Sequence, residues 1–267
     1  MELVVRPIGP LQTNVCLVGD PRTREAIVIA GAIPGLPWVV EELTRRDWRL
    51  ILIVSTHGHW DHTGENAALQ AWSREQSADE AQAAGAAIAG LEVAAGPGAS
   101  GAIGIPTAGT DADGGDASDP GITAHRASGA EIAAHRADWH RLTNPQPLFA
   151  PFPIPPCVPA VELAEGGAIR FGNVRLDVLH TPGHTEGSVC LVAADEGVLF
   201  SGDTLFAGGW GRVDLPGGDA AAMADSLARL GGLEGSLRVV PGHGRETTIA
   251  RERPWLELVA RERRLPF

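Results

Sequence analysis

Residues 56–65 read THGHWDHTGE, so His57, His59, Asp61 and His62 crowd together directly behind the apolar run LILIV. Side chains two apart in an extended segment point to the same side, which lets His57 and His59 share one ion. Asp61 and His62 stand where the chain turns toward a helix, offering a second pair of ligands displaced along the loop. Three more groups of the same kind follow later strand-like runs: His184 after VRLDVLH, Asp203 after VLFSG and His243 after LRVV. Imidazole and carboxylate without thiolate suit zinc, iron or manganese. Two divalent ions fit the set, one held by His57, His59 and His184, the other by Asp61, His62 and His243, with Asp203 bridging. Ions about 3.5 to 4 Å apart share one hydroxide, and metal binding brings the pKa of water to roughly 7. Asp61 then also orients that hydroxide, and the second ion polarises a carbonyl under attack. His125, His135, His140 and His180 stand alone and read as ordinary hydrogen-bonded histidines.

The elements that must aim these groups are legible from pattern. ELVVRPI, NVCLVGD, EAIVIAG and LILIVSTH read as strands, the last running over 50–57, with a hairpin turn at 21–23 between the second and third. The spacing of Val39, Val40 and Leu43 predicts a helix over 37–48 with Pro37 near its start. TGENAALQAW predicts another. The second half repeats the rhythm with RLDVLH, SVCLVA, VLFSG and LRVV as strands and AAAMADSLARL as a helix. Each ligand group thus follows a strand's C-terminal end, the edge where α/β proteins gather their sites. Two strand-rich halves with surface helices predict an α/β protein layered αββα, a four-layer sandwich.

From about 74 to 129 the composition turns to alanine, glycine, serine and aspartate. This stretch reads as an insertion within a single domain spanning 1–267, with a short helix at 78–89 and a middle too poor in large apolar groups to order itself. The proline-rich segment 144–159 reads as a stiff connector carrying Phe149 and Phe152, either a wall of a substrate cleft or a connector alone. Trp60, Phe206 and Trp210 are further candidates for cleft walls.

Composition narrows the partners. The 267 residues are 44% hydrophobic and carry a formal charge of −12, which supports a buried core and argues against general affinity for nucleic acid or anionic membrane. The sequence holds no tyrosine and no lysine, so arginine supplies all side-chain cations except protonated histidine. Cys16, Cys157 and Cys190 are isolated, with no C-x-x-C spacing, and read as reduced, buried thiols. No apolar run is long enough for a membrane span and no secretory leader is evident, so the expected location is the cytoplasm.

Taken in order, THGHWDH, HTPGHTEGS, FSGDTLF and PGHG resemble the metallo-β-lactamase-fold hydrolases. SGDTLFAGGWGRVDLPGGD followed by PGHGRETTI is similar to the hydroxyacylglutathione hydrolase (glyoxalase II) branch, here in a short form without the helical C-terminal domain. The resemblance covers 1–73 and about 130–255. It implies the αββα sandwich, a dinuclear site with the ligand roles given above, and thioester hydrolysis of hydroxyacylglutathione type on a small-molecule substrate. It also places Arg212 and Asp214 in support of the site, beside the bridging aspartate. Three departures stand out: the family's D-P-G after the third strand is Ala30-Gly31-Ala32 here, residues 74–129 are extra, and the tyrosine and basic residues that hold glutathione in the larger enzymes have no counterpart. Lactonase or broad esterase activity, an iron persulfide dioxygenase-like role and a non-catalytic metal-binding role are the alternatives. His62 and His243 together favour the hydrolase over the mononuclear dioxygenases, and Asp203 stands where typical zinc β-lactamases often carry cysteine.

Overall fold

Runs in which every residue is buried, such as Thr13–Asp20 and Glu25–Ile29, require apolar cover on both faces, and the computed structural model supplies it. It describes residues 1–92, 129–146, 150 and 152–266, with 80–92 described by backbone alone. Strands β1 (Glu2–Ile8), β2 (Thr13–Asp20), β3 (Glu25–Ile29), β4 (Arg49–Val54), β5 (Glu131–Ala134) and β6 (Val161–Glu162) form one sheet in sequence order. The second sheet runs in order β12 (Thr247–Thr248), β11 (Arg238–Pro241), β10 (Val198–Gly202), β9 (Val189–Ala193), β8 (Val174–His180) and β7 (Ala168–Phe171).

Period-two alternation sends successive side chains to opposite faces, and the buried clusters follow that rule. Cys16, Val18, Ile27 and Ile29 from the first sheet meet Val189, Leu191, Val198 and Phe200 from the second in the core between them. Their neighbours Val15, Leu17, Ala26 and Val28 face outward onto helix α1 (Leu36–Arg46) and the start of α3 (Asn66–Glu92). On the far side Cys190, Leu199 and Val239 face α5 (Ala220–Gly231) and α6 (Ile249–Glu262). The expected αββα layering is the observed one. Cys16, Cys157 and Cys190 are all buried and free of disulfides.

Several boundaries differ from expectation. Strand β4 ends at Val54, not at residue 57: the Ser55 N–H still donates to the Ala133 carbonyl of β5 at 2.9 Å, but at Thr56 the chain turns to the second sheet, where the Val189 N–H donates to its carbonyl at 2.8 Å. Helix α1 covers 36–46 and buries Trp38, Val39 and Leu43; Val40 lies at the edge of that face. The short helix expected at 78–89 is the continuation of α3, which runs unbroken from Asn66 to Glu92 through alanine-rich sequence that favours helix. The insertion expected from about 74 therefore begins inside a helix, and 93–128 lie outside the described residues.

Helix α6 was not evident in the sequence, although it closes the outer layer with Ile249, Leu256 and Val259. Among the described residues no helix is long and apolar enough to cross a membrane. Phe200, 1% exposed, fills the core between the sheets. Phe200→Ala is expected to cost about 3–5 kcal/mol, measured as a lowered denaturant midpoint at unchanged slope.

Candidate metal centre

The loops that leave β4, β8, β10 and β11 meet at one edge of the sandwich. His59 caps the one-turn helix α2 (Trp60–Thr63) with extended backbone, so His57 and His59 precede the turn while Asp61 and His62 lie on it. Gly183, at φ +137°, lets the chain from β8 double back against Met223 and deliver His184. Gly242 passes so close to the site that a Cβ there would collide with the Asp203 carboxylate and the His62 ring.

The structure brings all seven sequence-predicted ligand residues together. Ligand atoms of His57, His59 and His184 lie within 4.8 Å of one another, as do those of Asp61, His62 and His243 and those of His57, His62 and Asp203. His59 Nδ1 is 2.8 Å from His184 Nε2, and His62 Nε2 is 3.1 Å from His243 Nε2. The Asp203 carboxylate stands between the two groups, 3.3 Å from His62 Nε2 and 3.5 Å from both His184 Nε2 and His243 Nε2. Asp61 Oδ2 lies 3.1 Å from His243 Nε2 and accepts from the Thr13 hydroxyl at 3.3 Å. Six of the seven are buried, His243 being partly exposed.

The donor chemistry fits divalent cations. His57 Nε2 is buried without any hydrogen-bond partner, although a buried polar nitrogen ordinarily has one. His184 Nδ1 faces the Arg212 carbonyl at 2.7 Å, and since a carbonyl only accepts, Nδ1 carries a proton and Nε2 is the ring nitrogen turned toward the cluster. His243 Nδ1 donates in the same way to the Leu11 carbonyl at 2.9 Å.

The protonation equilibria of the metal-free site point the same way. Burial and neighbouring imidazoles push His57 well below its ordinary range and bring His59 down to about 3. Burial alone would lift the Asp61 carboxyl, but the His62 charge and the His243 hydrogen bond outweigh it and hold it below the usual carboxylate range. Asp203 is likewise held down, burial being overcome by the charge of His62. Burial opposes a charge on His243, yet hydrogen bonding to Asp61 and the charge of Asp203 carry it up to about 9. His57 and His59 are thus already in the neutral form that ligates a metal and both carboxylates are ionised, whereas His243 must release a proton to become a ligand.

Asp138 supports the site and was missed in the sequence, where it lies in a segment that reads as core. It is completely buried, directly before the short helix α4 (Trp139–Thr143). Its carboxylate accepts from the Gly58 N–H and the Thr185 hydroxyl, both at 2.7 Å, from the Gly187 N–H at 3.1 Å and from Arg141 Nε at 3.2 Å. One anion thus ties the loop of His57 and His59 to the loop of His184. Where the family's D-P-G is absent, the main chain provides support: the Gly31 N–H donates to the His62 carbonyl at 2.7 Å and the Glu65 N–H to the Gly31 carbonyl at 2.8 Å.

A cleft of about 660 Å³ opens over the cluster. Its floor is His59, Asp61, His184, Asp203 and His243, and its walls include Pro10, Leu11, Trp60, Phe206 and Leu215. Phe152 stands behind this wall, edge-on to Trp60 at 5.7 Å. Trp210 packs against Trp255 in the outer core, 5.7 Å between rings, and is not part of the cleft lining; the glycines around it let the chain turn the indole toward α6. Phe149 lies outside the described residues. The Arg212 guanidinium pairs with Asp214 in an exposed two-bonded contact at 2.7 and 2.8 Å, so the part of Arg212 that touches a cluster residue is its carbonyl. His135 and His180 stack on each other at 4.0 Å away from the cluster.

The chain belongs to the metallo-beta-lactamase superfamily, whose family model matches residues 108–243, just over half of it. An uncharacterized protein of Aquifex aeolicus is 31% identical over 256 residues, 95% of this chain and 94% of that one. A hydroxyacylglutathione hydrolase of Cereibacter sphaeroides is 30% identical over 244 residues, 91% of this chain and 66% of the length of that enzyme. Among solved structures, BLEG-1 B3 metallo-beta-lactamase superposes with a TM-score of 0.69 at 25% identity, covering 96% of this chain and 99% of that one. TTHA1623 in a di-iron-bound form superposes with a TM-score of 0.62 at 27% identity, covering 94% and 96%.

Removing the Asp138 carboxylate leaves the buried Gly58 and Gly187 N–H groups without their acceptor, while Arg141 keeps Glu186. Asp138→Ala is expected to lower stability by about 3 kcal/mol or more and to reduce bound metal per chain, while Asp138→Asn, which keeps an acceptor, loses less of both. Thermal unfolding and elemental analysis check the pair of variants.

Proposed function

We propose that this chain is a dinuclear metal-dependent hydrolase that cleaves a carboxylic ester or thioester of a small molecule, with thioesters of the hydroxyacylglutathione type as the form its relatives point to. The observation that carries the reading is the convergence of seven ligand-type side chains into overlapping triads, each with its ligand atoms within 4.8 Å, at the floor of one cleft. The resemblance to a hydroxyacylglutathione hydrolase over most of the chain supports the thioester form.

In this reading His57, His59 and His184 would hold one ion and Asp61, His62 and His243 the other, with Asp203 placed between the two groups. Bound there, divalent ions would supply acidification of a water toward neutral pH and polarisation of the carbonyl. The protein's own groups do the positioning. Asp61, kept ionised and facing the cleft, accepts a hydrogen bond from the attacking water and orients it. The carbonyls of Arg212 and Leu11 hold the His184 and His243 rings in register. Asp138 keeps the two ligand loops from parting. Zinc is the leading ion for this donor set, and iron and manganese suit it too; the di-iron form of TTHA1623 fits that range. A single domain spanning 1–267 and a cytoplasmic setting complete the proposal, the three free buried thiols being compatible with the latter.

Zinc-reconstituted protein assayed on S-D-lactoylglutathione beside a simple thioester without glutathione tests the reading. The wild type is expected to turn over at least one of them, and His59→Ala to lose bound metal and about 100-fold or more of that rate, the upper end of what losing a mere supporting partner costs. Full activity and unchanged metal content in His59→Ala would overturn the site assignment. Absence of turnover on any ester or thioester would overturn the hydrolase.

A further inference from the structure

Hydrolysis over the cluster leaves open what the cleft grips beyond the carbonyl. Its walls answer in apolar terms. Leu11 sits on the turn between β1 and β2, where Gly9 and Gln12 take positive φ and the Gln12 N–H donates to the Gly9 carbonyl at 3.2 Å. The turn is pinned to the site because the Leu11 carbonyl holds His243. Yet the Leu11 side chain is 51% exposed, one of two large hydrophobic residues among the described ones that are so open, and it borders the cleft. Phe206 is fixed by a tight backbone pair with Gly209, its N–H donating to the Gly209 carbonyl at 2.8 Å. Trp60 follows His59 directly, and Leu215 stands on the loop beyond Arg212. These four side chains surround a floor of ligand-type groups.

Charge on the walls is as informative. Among the described residues lining the cleft, Arg212 is the arginine, and Asp214 occupies both its Nε and its Nη2. Glutathione would bring two carboxylates and one ammonium, a net negative charge, toward a chain that is itself acidic at −12. Beyond the floor of the cleft, the described lining offers such carboxylates no arginine that is not already paired.

Building on the reading that the carbonyl lies over the seven-residue cluster, we infer that the cleft selects its substrate through an apolar chain lying on Leu11, Trp60, Phe206 and Leu215. This narrows the ester or thioester of the proposed function to one bearing an alkyl or aryl group, and sets it ahead of the glutathione conjugate that the relatives point to. A cleft of about 660 Å³ has room for such a group beside the reacting carbonyl.

Binding and turnover test this separately. In calorimetry on the zinc-loaded protein, n-alkanoates from butanoate to decanoate are expected to bind about fourfold more tightly per added methylene until the walls are covered. Leu215→Asp is expected to flatten that slope while its bound zinc stays at the wild-type level. A parallel series of thioesters, lengthened first on the acyl and then on the thiol side, is expected to show rising kcat/KM along at least one arm and to outrun S-D-lactoylglutathione. An alkanoate affinity independent of chain length, or a preference for the glutathione conjugate, would overturn the inference even with the hydrolase intact. A rising affinity without turnover of any ester would keep the inference and remove the hydrolase.

Discussion

Seven ligand-type groups gathered at one sheet edge, most of them buried, cannot satisfy one another, and much of this structure follows from that. Buried imidazoles cannot all take protons, because desolvation and mutual repulsion oppose it; His57 and His59 are driven neutral and His57 Nε2 is left unpaired. Two carboxylates pressed among them stay ionised. Such a cluster has unfilled lone pairs and negative charge in one place, which is a demand for cations that the protein alone does not meet. The surrounding main chain keeps that demand focused. Carbonyls of Leu11 and Arg212 dictate ring orientation, and Asp138 offers its oxygens to two loops at once.

How much of this can be read from residues alone depends on whether side-chain type carries the information. The two sheets were legible because their strands are short, apolar and punctuated, and because alternating residues serve different layers, as Cys16 and Val18 do against Val15 and Leu17. The cluster was legible because histidine and aspartate repeated at strand ends have no packing reason to do so. Support by backbone was illegible, since any residue could supply the carbonyls of Leu11 and Arg212. Asp138 was hidden for another reason: its partners stand 80 and 49 positions away, at Gly58 and Gly187, and no local pattern links them. Helix α6 was obscured by Pro254 within it and by a charged sequence whose apolar face rests on three residues.

Aromatic residues show the limits of type-based reading most clearly. Trp60, Phe206 and Trp210 all lie near ligand residues in sequence, and all are adjacent to or near glycines or histidines that turn the chain. Two face the cleft, while Trp210 is turned toward Trp255 and the outer core. Direction at a loop is decided by a few backbone dihedrals that composition does not encode, so proximity to a motif says little about which way a ring points.

The seam between the two sheets is stitched by main chain. The Asn14 N–H donates to the Gly242 carbonyl at 2.7 Å, the Asn14 side chain donates to the carbonyls of Pro241 and Gly244, and Thr13 bridges to His243. These contacts join positions more than 220 apart in the sequence. None of these contacts forms before residues 241–244 have been made. A ribosome-bound chain that has emerged only as far as the HxHxDH loop holds four of the seven ligand groups but no seam to fix them. The centre is therefore incomplete until His243 has been made and its loop lies against Leu11 and Thr13.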